Sequence, residues 1–156
     1  MSHKDQTVTA VNNALDANAG KEGALLPILH HIQDAIGYVP EDGIELIGKS
    51  LGLSRAEVHG VISFYHHFRT SPPGKKVIQV CRSEACKSMG GDAVAEALKV
   101  KLGIDFHQTS SDGEYSLEAV YCLGHCACAP ALMVNDVPLA RVTPSRVDEV
   151  IAMGEI

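Results

Sequence analysis

The sequence predicts an α+β chain in two parts, a helical region followed by a small mixed sheet covered by helices. Three observations predict it. Apolar residues recur at helical spacing through the first seventy-odd positions. The segment Thr70-Ser71-Pro72-Pro73-Gly74 then interrupts, because its prolines lack a backbone donor and restrict their predecessors. Beyond it, short β-branched runs alternate with helical patterns. The expected division is a helical domain at 1–73 and a sheet-containing domain at 74–156.

Each element has its own signal. A first helix is expected around Val8 to Leu15. Leu25, Leu29, Ile32 and Ile36 then form one stripe, with Gly37 as the stop, and Ile44, Ile47 and Leu51 form a second that ends at Gly52. Ser54-Arg55-Ala56-Glu57 is a capping box, in which hydroxyl and carboxylate satisfy the first free amides of a helix lined by Val58, Val61, Ile62 and Tyr65. In the second part, Lys76-Val77-Ile78-Gln79-Val80 reads as a buried strand running into Cys81. Val94, Leu98 and Leu102 mark a helix that stops at Gly103. Asp112-Gly113 is a turn before the strand Tyr115 to Tyr121, which delivers Cys122. Asn135-Asp136 joins Ala131-Leu132-Met133-Val134 to Val137-Pro138-Leu139-Ala140 as a hairpin. Thr143-Pro144 opens a last helix with Val147, Val150 and Ile151 inward. The order β, α, β, hairpin, α is met most simply by a thioredoxin-like layout.

Composition narrows the function. With 156 residues the chain can bury a core without disulfide staples. A formal charge of −6, from 13 Lys and Arg against 19 Asp and Glu, argues against a nucleic-acid partner. The opening Met1-Ser2-His3-Lys4-Asp5-Gln6 lacks an apolar signal core, and no run of about eighteen apolar residues occurs, so no membrane partner and a cytoplasmic location are expected. Five cysteines in a reducing compartment point to metal ligation or free thiols over disulfides.

Four of those cysteines fall into two pairs, Cys81 and Cys86 (C-x4-C) and Cys122 and Cys126 (C-x3-C). Four soft thiolates from two loops suit a 2Fe-2S cluster, with Cys81 and Cys86 on one iron and Cys122 and Cys126 on the other. Structural zinc knuckles use shorter C-x2-C-like spacings, which leaves a zinc-stabilised adaptor as the alternative of another class. Gly124 is expected to bend its loop and aim amides at sulfur, and Gly90 and Gly91 to do the same after the first pair. Cys128 reads as a small packing residue. His125 is not taken as a ligand, since a Rieske-type site needs two histidines on one iron. His30-His31 and His66-His67 read as partly exposed helix surface.

Gly43-Ile44-Glu45-Leu46-Ile47-Gly48-Lys49-Ser50 matches a phosphate-binding loop in its letters but lies inside an apolar-periodic helix, where its amides are already bonded. No dinucleotide fingerprint follows a strand, and no Ser/His/Asp or nucleophile-elbow pattern occurs. No catalytic residue is assigned. The chain is expected to carry electrons for an enzyme partner.

Taken together, Leu25-Leu26-Pro27 to Ile36-Gly37-Tyr38-Val39-Pro40, the helix Glu57 to Tyr65, Gly74-Lys75 before Ile78-Gln79-Val80-Cys81, and Cys122-Leu123-Gly124-His125-Cys126 with Ala129-Pro130 resemble the small 2Fe-2S subunit paired with a flavin subunit in NADH dehydrogenases. That resemblance implies a thioredoxin-like 2Fe-2S domain held by Cys81, Cys86, Cys122 and Cys126, and a helical part that grips the flavoprotein. A self-contained helical bundle is the other reading of that part. Cys81-Arg82-Ser83-Glu84-Ala85-Cys86 followed by Met89-Gly90, with the short length, is most similar to the gamma subunit of soluble, NAD-dependent, molybdenum-containing formate dehydrogenases. The partners it implies are a flavin- and NAD-binding beta-type subunit, carrying FMN, and an alpha-type subunit carrying the molybdenum cofactor. A respiratory NADH:quinone oxidoreductase or an NAD-reducing hydrogenase is the alternative parent.

Overall fold

In a computed structural model that describes residues 3–153, the polypeptide divides into two units, Met1–Pro72 and Pro73–Ile156. The first unit contains helices α1 (His3–Ala17), α2 (Leu25–Ile36), α3 (Glu41–Leu51) and α4 (Arg55–Phe64). Gly37 (φ 86°) and Gly52 (φ 69°) end α2 and α3 in the left-handed conformation, their N–H groups returning to the Gln33 and Gly48 carbonyls. Only glycine adopts that geometry without strain. The capping box at α4 is formed: the Glu57 N–H donates to Ser54 Oγ at 3.3 Å, and the Ser54 N–H donates to Glu57 Oε2 at 2.8 Å.

The helical stripes bury one another. Val11, Ala14, Leu29, Ile32, Ile44, Ile47 and Val58 form the centre of one apolar cluster, with Leu25, Ile36, Leu51 and Val61 at its rim. Tyr65 departs from its expected place on the inner face: it lies one residue past α4, in extended backbone, and is exposed. Buried Gln33 fastens the chain beyond α4, its amide donating to the His67 carbonyl and accepting the Arg69 N–H, each at 2.8 Å. A buried amide satisfied on both sides fixes a loop as a strand pairing would.

The phosphate-loop letters have another use here. All eight residues, Gly43 to Ser50, lie within α3. A Cβ on Gly43 would meet Val11 Cγ2 at 3.0 Å, and one on Gly48 would sit 2.7 Å from the Leu53 carbonyl oxygen. These glycines let α1 and the α3–α4 connection approach the helix.

The second unit contains β1 (Lys76–Cys81), α5 (Glu84–Ser88), α6 (Gly91–Leu102), β2 (Gln108–Thr109), β3 (Tyr115–Val120), β4 (Leu132–Val134), β5 (Val137–Leu139) and α7 (Val147–Ala152). The strands form one sheet in the order β2-β3-β1-β4-β5. The β1–β3 pair is parallel, in register from Lys76 opposite Tyr115 to Cys81 opposite Val120, and the other pairs are antiparallel. Ile78, Val80, Leu117, Leu132 and Val134 from the sheet bury against Val94 and Leu98 of α6 and Val147 and Val150 of α7. Asn135 (φ 43°) and Asp136 (φ 68°) both take the left-handed conformation that a two-residue hairpin requires. Two elements carry no sequence signal: α5 is one short turn-and-a-half, and β2 is two exposed residues. No helix among the described residues is long and apolar enough to cross a membrane.

Two glycines mark close approaches in this unit. The Gly74 N–H donates to Ser116 Oγ at 2.7 Å, and a Cβ there would lie 2.6 Å from the Tyr115 carbonyl carbon. At Gly91 a Cβ would lie 2.6 Å from the Cys86 carbonyl oxygen, so α6 can begin against α5 only without a side chain. Gly91→Ala should therefore lower stability by about 1–3 kcal/mol through overpacking. Gly60→Ala, at an open helical position in α4, should raise it by about 0.5–1 kcal/mol; urea midpoints of the two variants check both signs. Ser54→Ala should cost about 1 kcal/mol by loss of the cap. The Ser54 N–H and hydroxyl hold the Glu57 carboxyl below its usual range, so its contribution is present above the unfolded value near pH 4 and is lost as pH falls through the lower folded value. The stability gap between wild type and Glu57→Ala should accordingly close in acid, as urea titrations at a series of pH values would read.

Candidate metal centre

Parallel pairing delivers two cysteines to the same end of the sheet, at the carboxyl ends of β1 and β3. Cys81 is the last residue of β1 and lies opposite Val120, the last residue of β3, with Tyr121 and Cys122 following at once. The Cys81 N–H donates to the Ala131 carbonyl at 3.2 Å, and the next amide, that of Arg82, donates to the Val120 carbonyl at 2.7 Å. Cys81 is thus held by a neighbour on either side. Loops at the carboxyl ends of parallel strands are where open sheets of this kind place ligands.

The other two cysteines come from short turns. Cys86 lies on α5, whose position is set by the close approach of Gly91. Cys126 opens a 3-10 turn, Cys126–Cys128, reached through Gly124 at φ 77°. Cys122 itself has φ 139°, a region that L-residues rarely adopt and that the surrounding structure must enforce. Its sulfur accepts the Gly124 N–H at 3.4 Å and lies 3.8 Å from Cys126 Sγ. Two sulfurs bound to one tetrahedral metal at about 2.3 Å are also about 3.8 Å apart. The Ala129–Pro130 peptide is cis.

The two pairs differ in burial. Cys81 and Cys86 are 2% and 1% exposed and pack with Ala129, Ala131, Val120 and Leu123, whereas Cys122 and Cys126 are exposed. Burial pushes the Cys81 thiol up, but donation from the Ser83 backbone and hydroxyl, the Cys86 thiol and the Leu123 backbone outweighs it and leaves Cys81 below its usual value. Cys86 is raised, first by burial and then by Cys81 and Cys126, against donation from the Ala131 backbone. Cys126 is raised first by its hydrogen bond to Cys122, then by the charge of Cys122, by burial and by the charge of Cys81. Charge on one pair is therefore felt at the other, through Cys126 at Cys86 and through Cys81 at Cys126. Thiolates that sense one another repel, and bound cations relieve that repulsion.

The geometry sorts the remaining expectations. Gly124 supplies the predicted amide to sulfur. Gly90 and Gly91 serve instead as a left-handed N-cap and a packing contact for α6, and the donors to the inner pair are Ser83, Leu123 and Ala131, which no sequence motif marks. The His125 ring Nδ1–H donates to the Leu123 carbonyl at 2.8 Å. Half-buried Cys128 contributes backbone bonds, its N–H to the His125 carbonyl and its carbonyl to the Arg141 N–H. Among the described residues, no three His, Cys, Asp or Glu side chains gather closely enough to share a single metal ion. His30 and His67 meet with ring centroids 5.0 Å apart beside Phe68, an aromatic cluster rather than a ligand set. Sequence reading also missed Arg82, whose guanidinium pairs with Asp92 at 2.9 Å and lies over the Phe106 ring, tying both ends of the first cysteine loop together.

Comparison with known proteins fits this site. The chain is 38% identical over 132 residues to the NADP-reducing hydrogenase subunit HndA of Solidesulfovibrio fructosivorans, covering 85% of this chain and 77% of that one. It is 36% identical over 134 residues to NADH-quinone oxidoreductase subunit 2 of Thermus thermophilus, covering 85% and 74%. It is 37% identical over 131 residues to an NADH-quinone oxidoreductase subunit of Mycobacterium tuberculosis, covering 84% of this chain but about half, 52%, of that relative. A crystal structure of an NAD+-reducing [NiFe]-hydrogenase in the H2-reduced state superposes with a TM-score of 0.70 at 25% identity, over 85% of this chain and 22% of the longer one. The family model described as thioredoxin-like [2Fe-2S] ferredoxin matches residues 11–155. The chain therefore belongs to the thioredoxin-like [2Fe-2S] ferredoxin family, and its cofactor is a 2Fe-2S cluster.

Proposed function

We propose that this chain is the one-electron carrier subunit of an NAD(P)-linked oxidoreductase complex, with Cys81 and Cys86 on one iron of the cluster and Cys122 and Cys126 on the other. The observation that carries this reading is the register of β1 and β3, which brings Cys81 and Cys122 to the carboxyl ends of two paired strands, each with a second thiol a short turn away. The bound cluster accepts and returns a single electron. The chain's own part is to hold the sulfurs and to aim the Ser83, Leu123, Ala131 and Gly124 amides at them, which offsets negative charge that grows on reduction.

Nicotinamide chemistry moves electrons in pairs as hydride, so the partner that divides them is a flavin- and NAD-binding subunit. The relatives named above are subunits of nicotinamide-linked enzymes, which supports such a partner. The finer assignment, to a formate dehydrogenase with a molybdenum-containing subunit, rests on Cys81-Arg82-Ser83-Glu84-Ala85-Cys86 with Met89-Gly90 and on the chain's length. The names of the relatives favour a second parent, a hydrogenase or quinone reductase. The helical unit is the proposed docking element. Its stripes are consumed in its own core; among the described residues Val8, Phe64 and Tyr65 stay exposed, and the adjacent Phe64 and Tyr65 at the end of α4 are the proposed contact.

Purified anaerobically, the protein should be brown, with about two irons per chain and a paramagnetic signal after one-electron reduction. Cys86→Ser and Cys126→Ser should lose or alter that signal, and Cys128→Ser should keep it; colourless protein with one tightly held zinc would end the proposal. Affinity purification of the tagged chain from its own cells should bring down molybdenum and formate–NAD activity. Nickel, or neither metal, would move the chain to a hydrogenase or a quinone reductase. Phe64→Glu should reduce the copurified flavoprotein at least severalfold without changing the cluster spectrum.

A further inference from the structure

The two cysteine pairs are not equivalent to a visitor from solvent. Cys81 and Cys86 are buried, while Cys122 and Cys126 sit on an exposed loop with Tyr121 (70% exposed), Gly124, His125 and Ala127. The Leu123 N–H reaches back to Cys81, so this loop forms the outer wall of the site. It is also electrically bare. Residues 119 to 135 contain no Asp, Glu, Lys or Arg, in a chain with 32 such residues among 156. Solubility alone offers no reason for a loop that exposes a tyrosine ring and carries no charge.

We infer that electrons enter and leave through the loop Tyr121–Ala127, and that Tyr121 is the residue on which the electron partner's apolar, uncharged surface seats. Electron tunnelling weakens steeply with distance, so the partner must meet the thinnest wall of the site, and that wall is this loop. The occupant is the flavin-bearing subunit, so the inference rests on the proposed function. One electron crosses in each event, and no bond or proton moves. The missing charge has a purpose in this setting: a carboxylate or ammonium here would be buried against the partner and desolvated without a counter-ion. The tyrosine supplies apolar area with a polar tip, as suits an interface anchor.

The test uses the full-length holoprotein and two one-electron oxidants of opposite charge, ferricyanide and tris(phenanthroline)cobalt(III). Tyr121→Glu and Ala127→Glu are compared with Val100→Glu, which changes net charge equally at a residue 83% exposed on α6, about 13 Å along that helix from Gly91. At physiological ionic strength only charges within roughly 8 Å of the outlet are felt. The two loop variants should slow oxidation of the reduced protein by ferricyanide about threefold and speed oxidation by the cobalt complex by a similar factor. Tyr121→Lys should reverse both signs, and Val100→Glu should do neither, with visible and paramagnetic spectra unchanged throughout. If Val100→Glu matches the loop variants, or the loop variants respond to neither oxidant, the assignment of the outlet is overturned. Neither oxidant is a flavoprotein, so failure of the proposed partner would leave this pattern intact, and the two ideas fail separately. With the flavin subunit added, Tyr121→Glu should slow electron transfer at least tenfold; an unchanged rate overturns the seating of the partner on Tyr121.

Discussion

The parallel pairing of β1 with β3 is the constraint on which the rest of the second unit depends. Its register sets Cys81 opposite Val120 and so places the two cysteine-bearing loops side by side, although forty residues of chain lie between Cys81 and Cys122. A slip of either strand by one residue would turn its own fully buried side chain, Ile78 in β1 or Leu117 in β3, toward the opposite face, and would carry Cys81 out of line with Cys122. Apolar burial therefore enforces the register, and the register enforces the site. β4 on the other side of β1 adds the Ala131 carbonyl that receives the Cys81 N–H.

Around that frame the protein resolves a conflict between burial and charge. A thiol must be deprotonated to bind metal, yet Cys81 and Cys86, two of the proposed ligands, are placed where burial disfavours thiolate. Backbone amides and one hydroxyl supply the compensation at Cys81, and their absence in equal number leaves Cys86 raised. Cys122 and Cys126 are settled differently. They remain near solvent and instead require unusual backbone, φ 139° at Cys122 and φ 77° at Gly124, to bring their sulfurs to 3.8 Å. One pair is held by a rigid interior and the other by a bent surface loop, an asymmetry that suits a centre which must be both protected and reachable.

The helical unit shows how far local patterns can be trusted. Capping chemistry was legible because it is local: Gly37, Gly52 and the Ser54/Glu57 box each act within four residues. Tyr65 followed the helical stripe in sequence and left it in space, because α4 stops at Phe64 and Gln33 draws the following backbone elsewhere. The eight phosphate-loop letters in α3 are the complementary lesson. Glycines that could free a loop around phosphate serve here to bring Val11 and Leu53 close to a helix.

By itself the sequence determined the longer helices, the main strands, the Asn135-Asp136 hairpin and which cysteines come in pairs, because periodicity, caps, turn residues and short spacings are set over a few neighbours. It left α5, β2 and the sulfur-directed amides of Ser83, Leu123 and Ala131 invisible, since short elements carry no period and a backbone N–H has no letter of its own. The tertiary structure alone decided that Cys81 and Cys122 come to the same end of paired strands, that one pair is buried and the other exposed, and that Arg82 reaches Asp92 and Phe106. Those facts depend on strand register and on contacts between residues far apart in the chain, which are settled when apolar faces close on one another and not before.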